Sequence, residues 1–144
     1  MTGTGPAPAS PPGTRMVALD RQESLRLLAG VPMGRVGLTQ EALPVIRPAN
    51  HLVTAEGDII IRTHAGAALL SSATQSAVVV YEADRIDEAA HTGWSVMVTG
   101  RASRVTDPRL LSRYDAALTP WVSRDMEYVV RIPSEPVTGY RLER

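Results

Sequence analysis

The sequence predicts an α+β domain of mainly antiparallel β structure, arranged as a small barrel, and three observations carry that expectation. About seven segments of strand length, apolar or alternating, follow one another with short turns between them. Only three segments have helical spacing: one leads, one short piece crosses over in the middle and one comes late. Gly100 interrupts a strand from Trp94 to Val105, where a barrel strand bends, so a closed sheet is expected. This order suits a barrel and not a βαβ array.

The chain opens with MTGTGPAPASPPGTR, and residues 1–17 read as a disordered Gly/Pro/Ala-rich tail, with 18–144 as a single domain. The opening has neither the basic nor the apolar region of a signal peptide, so a soluble, cytoplasmic protein is expected. Asp20 followed by Glu23 resembles a capping box, after which Leu25, Leu27 and Leu28 form the stripe of a helix that Gly30 ends. Gly34 to Thr39 alternates as a strand, Gln40 to Ala42 turns back, and Leu43 to Val53 forms the next strand. Pro44 and Pro48 are four apart in it, so two donors are missing along the same edge.

After the turn Glu56-Gly57-Asp58, the run Ile59 to Ile61 is apolar on both faces, and Gly66 to Ala73 suits a short helix. A second two-faced run, Ala77 to Tyr81, precedes what reads as an acidic loop around Asp84, Asp87 and Glu88; both runs are expected to be buried strands. Asp107-Pro108 caps a late helix whose apolar positions are Leu110, Leu111, Tyr114 and Leu118. Strands Tyr128 to Ile132 and Val137 to Leu142 close the chain.

Composition excludes several chemistries. The 144 residues contain fifteen arginines and no lysine, so a pyridoxal Schiff base is impossible and any anion must be held by Arg, hydroxyls or backbone N–H groups. With no cysteine there are no disulfides, thiolate catalysis or Cys-based metal sites. The formal net charge is zero with both signs interspersed, which argues against a nucleic-acid partner. His51, His64 and His91 have no metal-type spacing, and Ser71 and Ser72 have no His/Asp relay, so neither a metal site nor a hydrolase is expected.

The most informative local feature is the basic, glycine-containing turn that follows the Ile-rich strand. Arg62 at the strand end is either an anion ligand beside free helix N–H groups or one half of a surface ion pair. Arg47 shares a strand face with His51, directed either to a pocket or to solvent. Trp94 and Trp121 read first as core or interface residues.

The segments GRVGL at Gly34 to Leu38, LPVIRPANH at Leu43 to His51, IIIRTHAGAALL at Ile59 to Leu70, GWSVMVTGRASRVTD at Gly93 to Asp107 and RIPSEPVTGYRL at Arg131 to Leu142 follow one another in a telling order. That order resembles the flavin-binding split β-barrel superfamily, the pyridoxamine 5′-phosphate oxidase-like proteins, and within it the nitroimidazole-resistance-like actinobacterial branch. The resemblance implies a homodimer of antiparallel split β-barrels with flavin or deazaflavin sites at the subunit interface. Arg47, Pro48, Ala49, Asn50 and His51 would line the isoalloxazine. Arg62, Thr63, Gly66 and the first helical turn after it, with Ala68 and Leu69, would hold the phosphate, and Trp94 would close the pocket from the partner chain.

FMN is the first expectation, with FAD, a deazaflavin coenzyme or, as a minor alternative, haem behind it. One departure stands out: relatives commonly carry a lysine where this chain has Ala68. The resemblance implies an oxidoreductase acting on a small organic substrate, with no catalytic side chain named, because the flavin carries the hydride. The rival expectation is a non-catalytic storage or sensor protein for a flavin, haem or lipid-like ligand. A purely structural dimerisation module ranks third.

Overall fold

The structure, a computed structural model, describes residues 13–119, 126 and 128–144. Most of the expected tail and Trp121 lie outside the described residues. The tail as read was too long at its end, however. Arg15–Leu19 is strand β1, paired antiparallel with the last strand from Arg15 opposite Glu143 to Leu19 opposite Gly139.

Helix α1, Arg21–Ala29, begins where Asp20 accepts a hydrogen bond from the Glu23 N–H at 2.8 Å and stops at Gly30. Its buried residues Ser24 and Leu28 turn toward the barrel. Strands β2 (Met33–Gln40) and β3 (Leu43–Asn50) form a hairpin whose two turn residues, Glu41 and Ala42, both have positive φ, the conformation of the tight turns that match strand twist. Next come β4 (Leu52–Val53), β5 (Ile59–Thr63), α2 (Ala68–Thr74), β6 (Val78–Asp87), β7 (Thr92–Arg101), β8 (Ser103–Val105), α3 (Pro108–Ala117), β9 (Tyr128–Ile132) and β10 (Val137–Glu143). Asp107 caps α3 with Pro108 at its first position.

These ten strands make two antiparallel sheets. One has the order β1-β10-β7-β6-β2-β3, the other β4-β5-β9-β8. The expected closed sheet is therefore not formed: the ladders leave β3 and β4 as terminal strands, and the barrel is split. The prolines supply a reason, since a strand lacking two donors on one edge cannot accept a neighbour there. Gly100 does mark the bend. A Cβ at that position would collide with the Pro133 carbonyl, and just beyond it the chain crosses from the large sheet into β8 of the small one.

Between the sheets lies the main core, with Leu28, Val36, Ile59, Ile61, Tyr81, Val96, Val98, Val130 and Ile132 fully or almost fully buried. Ile60 points the other way and joins Val105, Tyr114, Leu118 and Val129 in a second cluster beneath α3. Strand alternation thus explains why three consecutive isoleucines are all buried. The run Val78 to Tyr81 behaves differently: Val79 and Tyr81 are buried, but Val78 is 53% exposed. No described element covers the outer face of the six-stranded sheet, so the expectation of burial on both sides does not hold there. The acidic loop is also shorter than expected. Asp84 and Asp87 belong to β6, and the Asp87 carboxylate accepts from the N–H groups of Ala89 and Ala90 in the turn.

Candidate functional site

A cleft of about 410 Å³ opens at the split, between the β2–β3 hairpin and the β5–α2 turn. Its walls bring together nine of the residues singled out from sequence: Arg47, Pro48, Ala49 and Asn50 on one side, and Arg62, Thr63, Gly66, Ala68 and Leu69 on the other. Met33, Val36, Gln40, Ile61, His64, Ala67 and Met126 complete the lining. Of these, Val36 could have been found from the hairpin register, which sets it directly opposite Arg47. Met126 carries no local signal at all.

Alternation in β3 places Val45, Arg47 and Ala49 on the inward face, where Val45 and Ala49 pack on the core and Arg47 extends into the cleft. Its Nη1 donates to the Ile46 carbonyl at 3.1 Å, and among the described residues it makes no ion pair. No carboxylate lines the cleft among those residues. The electrostatic character of the walls is therefore that of an anion or neutral-ligand site with an apolar floor.

Arg62 is differently engaged. Its Nε donates to the Met126 carbonyl at 3.1 Å, and its Nη1 donates to the Leu118 carbonyl at 3.2 Å and pairs with Asp115 Oδ1 at 3.1 Å. The ion-pair reading of this strand-end arginine is thus realised, while the residue still lines the cleft. Asn50 makes a parallel tie across the same gap, its side-chain amide donating to the Thr119 carbonyl at 2.9 Å.

At the α2 end the chain is open. Gly66 has a φ of +83°, and a Cβ there would meet nothing within 4 Å, so backbone faces free space. The N-cap of α2 is Ala67, which offers no side-chain cap. Ala68 follows, so this end has backbone donors and Thr63 but no ammonium.

The structure does not bring His51 or Trp94 to the cleft. The His51 N–H donates to the Pro32 carbonyl at 3.0 Å, one step on from the β2–β3 register, so its side chain keeps the inward side expected from alternation with Arg47, but there it meets the core and not the cleft. Its ring instead lies buried, with Nε2 2.8 Å from the Leu28 carbonyl and Nδ1 2.6 Å from the Tyr81 hydroxyl. The two rings meet edge-on with centroids 4.9 Å apart. A carbonyl only accepts, so Nε2 carries the proton, and in the neutral imidazole Nδ1 accepts from Tyr81.

Burial lowers the His51 pKa, with the Leu28 hydrogen bond opposing it, so the neutral form is favoured. Burial likewise drives the Tyr81 phenol upward, with the Glu82 carboxylate adding to it. The Tyr81 oxygen also lies 2.9 Å from the Ala49 carbonyl, which places this network immediately behind the cleft wall. Trp94 is buried in the core of its own chain, between Arg85 on β6 and Arg141 on β10 in the sheet register.

Among the described residues no group of His, Asp or Glu is arranged to hold a metal ion, and no helix is long and apolar enough to cross a membrane.

Two antiparallel sheets that split beside a proline-bearing edge strand, with a two-arginine cleft at the split, define a split-barrel ligand-binding protein. The chain belongs to the pyridoxamine 5′-phosphate oxidase family, whose sequence profile matches residues 20–141. It is 51% identical over 139 residues to an uncharacterized protein of Mycobacterium tuberculosis, covering 93% of this chain and 91% of that one. Among solved structures it is similar to the FAD binding protein of Mycobacterium smegmatis, at 29% identity and a TM-score of 0.69 over 90% of this chain and all of that one (100%). A candidate 5-nitroimidazole antibiotic resistance protein of Bacteroides thetaiotaomicron shares the fold, with a TM-score of 0.71 at 14% identity over 90% of both chains.

Proposed function

We propose that the protein binds a flavin in the cleft at the split and acts as an oxidoreductase on a small organic substrate. The observation that carries this reading is the cleft itself: an apolar floor flanked by Arg47 and Arg62, with no carboxylate among the described residues, in a chain similar to an FAD binding protein at 29% identity. The residues fit the group. Met33, Val36, Pro48 and Leu69 offer flat apolar surface for the ring, while Thr63, Arg62 and the backbone at Gly66 offer donors for the phosphate end.

When bound, the flavin would supply hydride or electron transfer, which no side chain of the cleft provides. The chain's own work is to bind it, orient it and keep water from its inner face. FMN is the first choice; FAD and a deazaflavin coenzyme follow. Haem has weaker support, because both ring nitrogens of His51 are already hydrogen-bonded. A non-catalytic flavin store or sensor is the second reading, favoured by Ala68 and by the engagement of Arg62 with Asp115.

A homodimer is part of the proposal. Met16, Ile46, Val78, Met97 and Tyr140 are exposed on β1, β3, β6, β7 and β10, and the register sets all five on the outer face of the six-stranded sheet. A face of that kind is explained by a second copy. The absence of cysteine suits a cytoplasmic setting.

The deciding experiment is the visible absorption spectrum of protein purified without added cofactor, followed by titration with FMN, FAD and a deazaflavin coenzyme. Yellow protein or saturable micromolar binding, with electron transfer from a reduced nicotinamide, is the expected result. Colourless protein that binds none of the three would remove the flavin reading.

A further inference from the structure

Arg62 stands in the wall between two spaces. One is the cleft; the other is a small depression beside α3 that it shares with Leu111, Ser112, Asp115 and Val129. A guanidinium has five N–H donors, and it grips a phosphate best along an edge formed by two nitrogens. Here Nε donates to Met126, and the two Nη1 donors go to Leu118 and Asp115, so each of the edges that includes Nη2 already has one nitrogen engaged.

Two of those three partners are backbone carbonyls, which stay where the fold puts them. The third is the side chain of Asp115, 68% exposed on the outer face of α3, whereas the Arg62 side chain is only 18% exposed. Asp115 is therefore both the charged competitor and the partner able to leave.

We infer that Asp115 is a specificity-determining residue of the cleft: it competes with a ligand phosphate for the Arg62 guanidinium and so lowers the preference for a phosphorylated over an unphosphorylated ligand. The inference rests on the flavin reading above and says how that site is tuned. Ala68 adds to the effect. With no ammonium at the α2 end, Arg62 is the cationic side chain on that wall, and its charge is already half answered from behind.

The test compares FMN with riboflavin, which share the ring and differ in the phosphate, on wild type and Asp115→Asn by calorimetric titration at low ionic strength. Removing an exposed pair of this kind should tighten FMN by about two- to fivefold. Riboflavin affinity should not change, and the FMN gain should shrink as salt is added. Asp115→Ala should behave the same way, and thermal melts of both variants check that α3 remains folded.

Equal shifts for FMN and riboflavin, or a loss of FMN affinity, would overturn the inference; the loss would make Asp115 a residue that positions Arg62 for the phosphate. If neither flavin binds wild type, the flavin reading itself has failed, and inorganic phosphate becomes the probe. Its effect on the Arg62 Nε–H resonance should then saturate at lower concentration in Asp115→Asn, and identical midpoints would refute the competition.

Discussion

Replacing Tyr81 by Phe removes one oxygen from a fully buried ring that the core otherwise accommodates unchanged. The lost hydroxyl lies 2.6 Å from His51 Nδ1 and 2.9 Å from the Ala49 carbonyl. With the Leu28 carbonyl fixing the proton on Nε2, the ring nitrogen left behind is an acceptor with no donor in reach, and an orphaned buried polar atom costs about 1–3 kcal/mol. The phenol has one proton to share between Nδ1 and the Ala49 carbonyl, so no second bond is added and the expected loss is about 1–3 kcal/mol. For a chain of 144 residues that corresponds to a fall in Tm of about 3–12 °C.

Urea unfolding followed by circular dichroism measures it, with the slope m unchanged, since the surface exposed on unfolding is the same. Imidazole nitrogen shifts report the tautomer independently: His51 should keep Nε2–H in the variant. A loss below about 0.5 kcal/mol, within the range of an ordinary surface substitution, would refute the network as described.

Three further outcomes follow from the same geometry. His51 has a lowered pKa in the folded state, so on acidification the unfolded chain takes up its proton first; the stability due to neutral His51 is full above about pH 6.5 and is lost as pH falls below it, with a slope of at most about 1.4 kcal/mol per pH unit. Urea midpoints between pH 5 and 8, on wild type and His51→Gln, should show that component only in wild type. Ala68→Lys should tighten FMN by about ten- to a hundredfold, the worth of one charge-assisted contact of about 1.5–3 kcal/mol, and leave riboflavin unaffected; titration of both ligands decides it. Met97→Asp, at the centre of the uncovered sheet face, should weaken self-association at least a hundredfold, since a buried unpaired carboxylate costs about 3 kcal/mol or more, and sedimentation equilibrium would show monomer in place of dimer.

Much of the fold was legible residue by residue. Asp20 with Glu23, and Asp107 with Pro108, are local capping signals whose physics is complete within four residues, and both helices start where those signals stand. The hairpin of β2 and β3 and the isoleucine run of β5 follow from alternation. In the candidate site, the order of family segments was enough to gather nine cleft residues from two distant stretches of chain.

Period-two reasoning put His51 on the inward side with Arg47, but that this side holds the cleft at Arg47 and the Leu28 carbonyl and Tyr81 hydroxyl at His51 depends on residues more than twenty positions away. The ties of Arg62 were invisible for another reason: Leu118 is 56 residues away and Met126 is 64, and no spacing rule reaches that far. Likewise nothing in Val78 to Tyr81 says that only one face of that strand would find a cover within its own chain.

The sequence by itself determined the element types, the caps and turns, the proline-blocked edge and the limits on chemistry set by fifteen arginines with neither lysine nor cysteine. These depend on backbone sterics, local hydrogen bonding and the atoms present, all of which act over a few residues. Only the tertiary structure decided that the barrel stays split and that His51 serves the core. It likewise decided that Arg62 is shared between the cleft and α3, leaving Arg47 without an ion pair among the described residues. Each of those outcomes is a competition among partners far apart in the chain, and such a competition is settled by packing the whole domain at once.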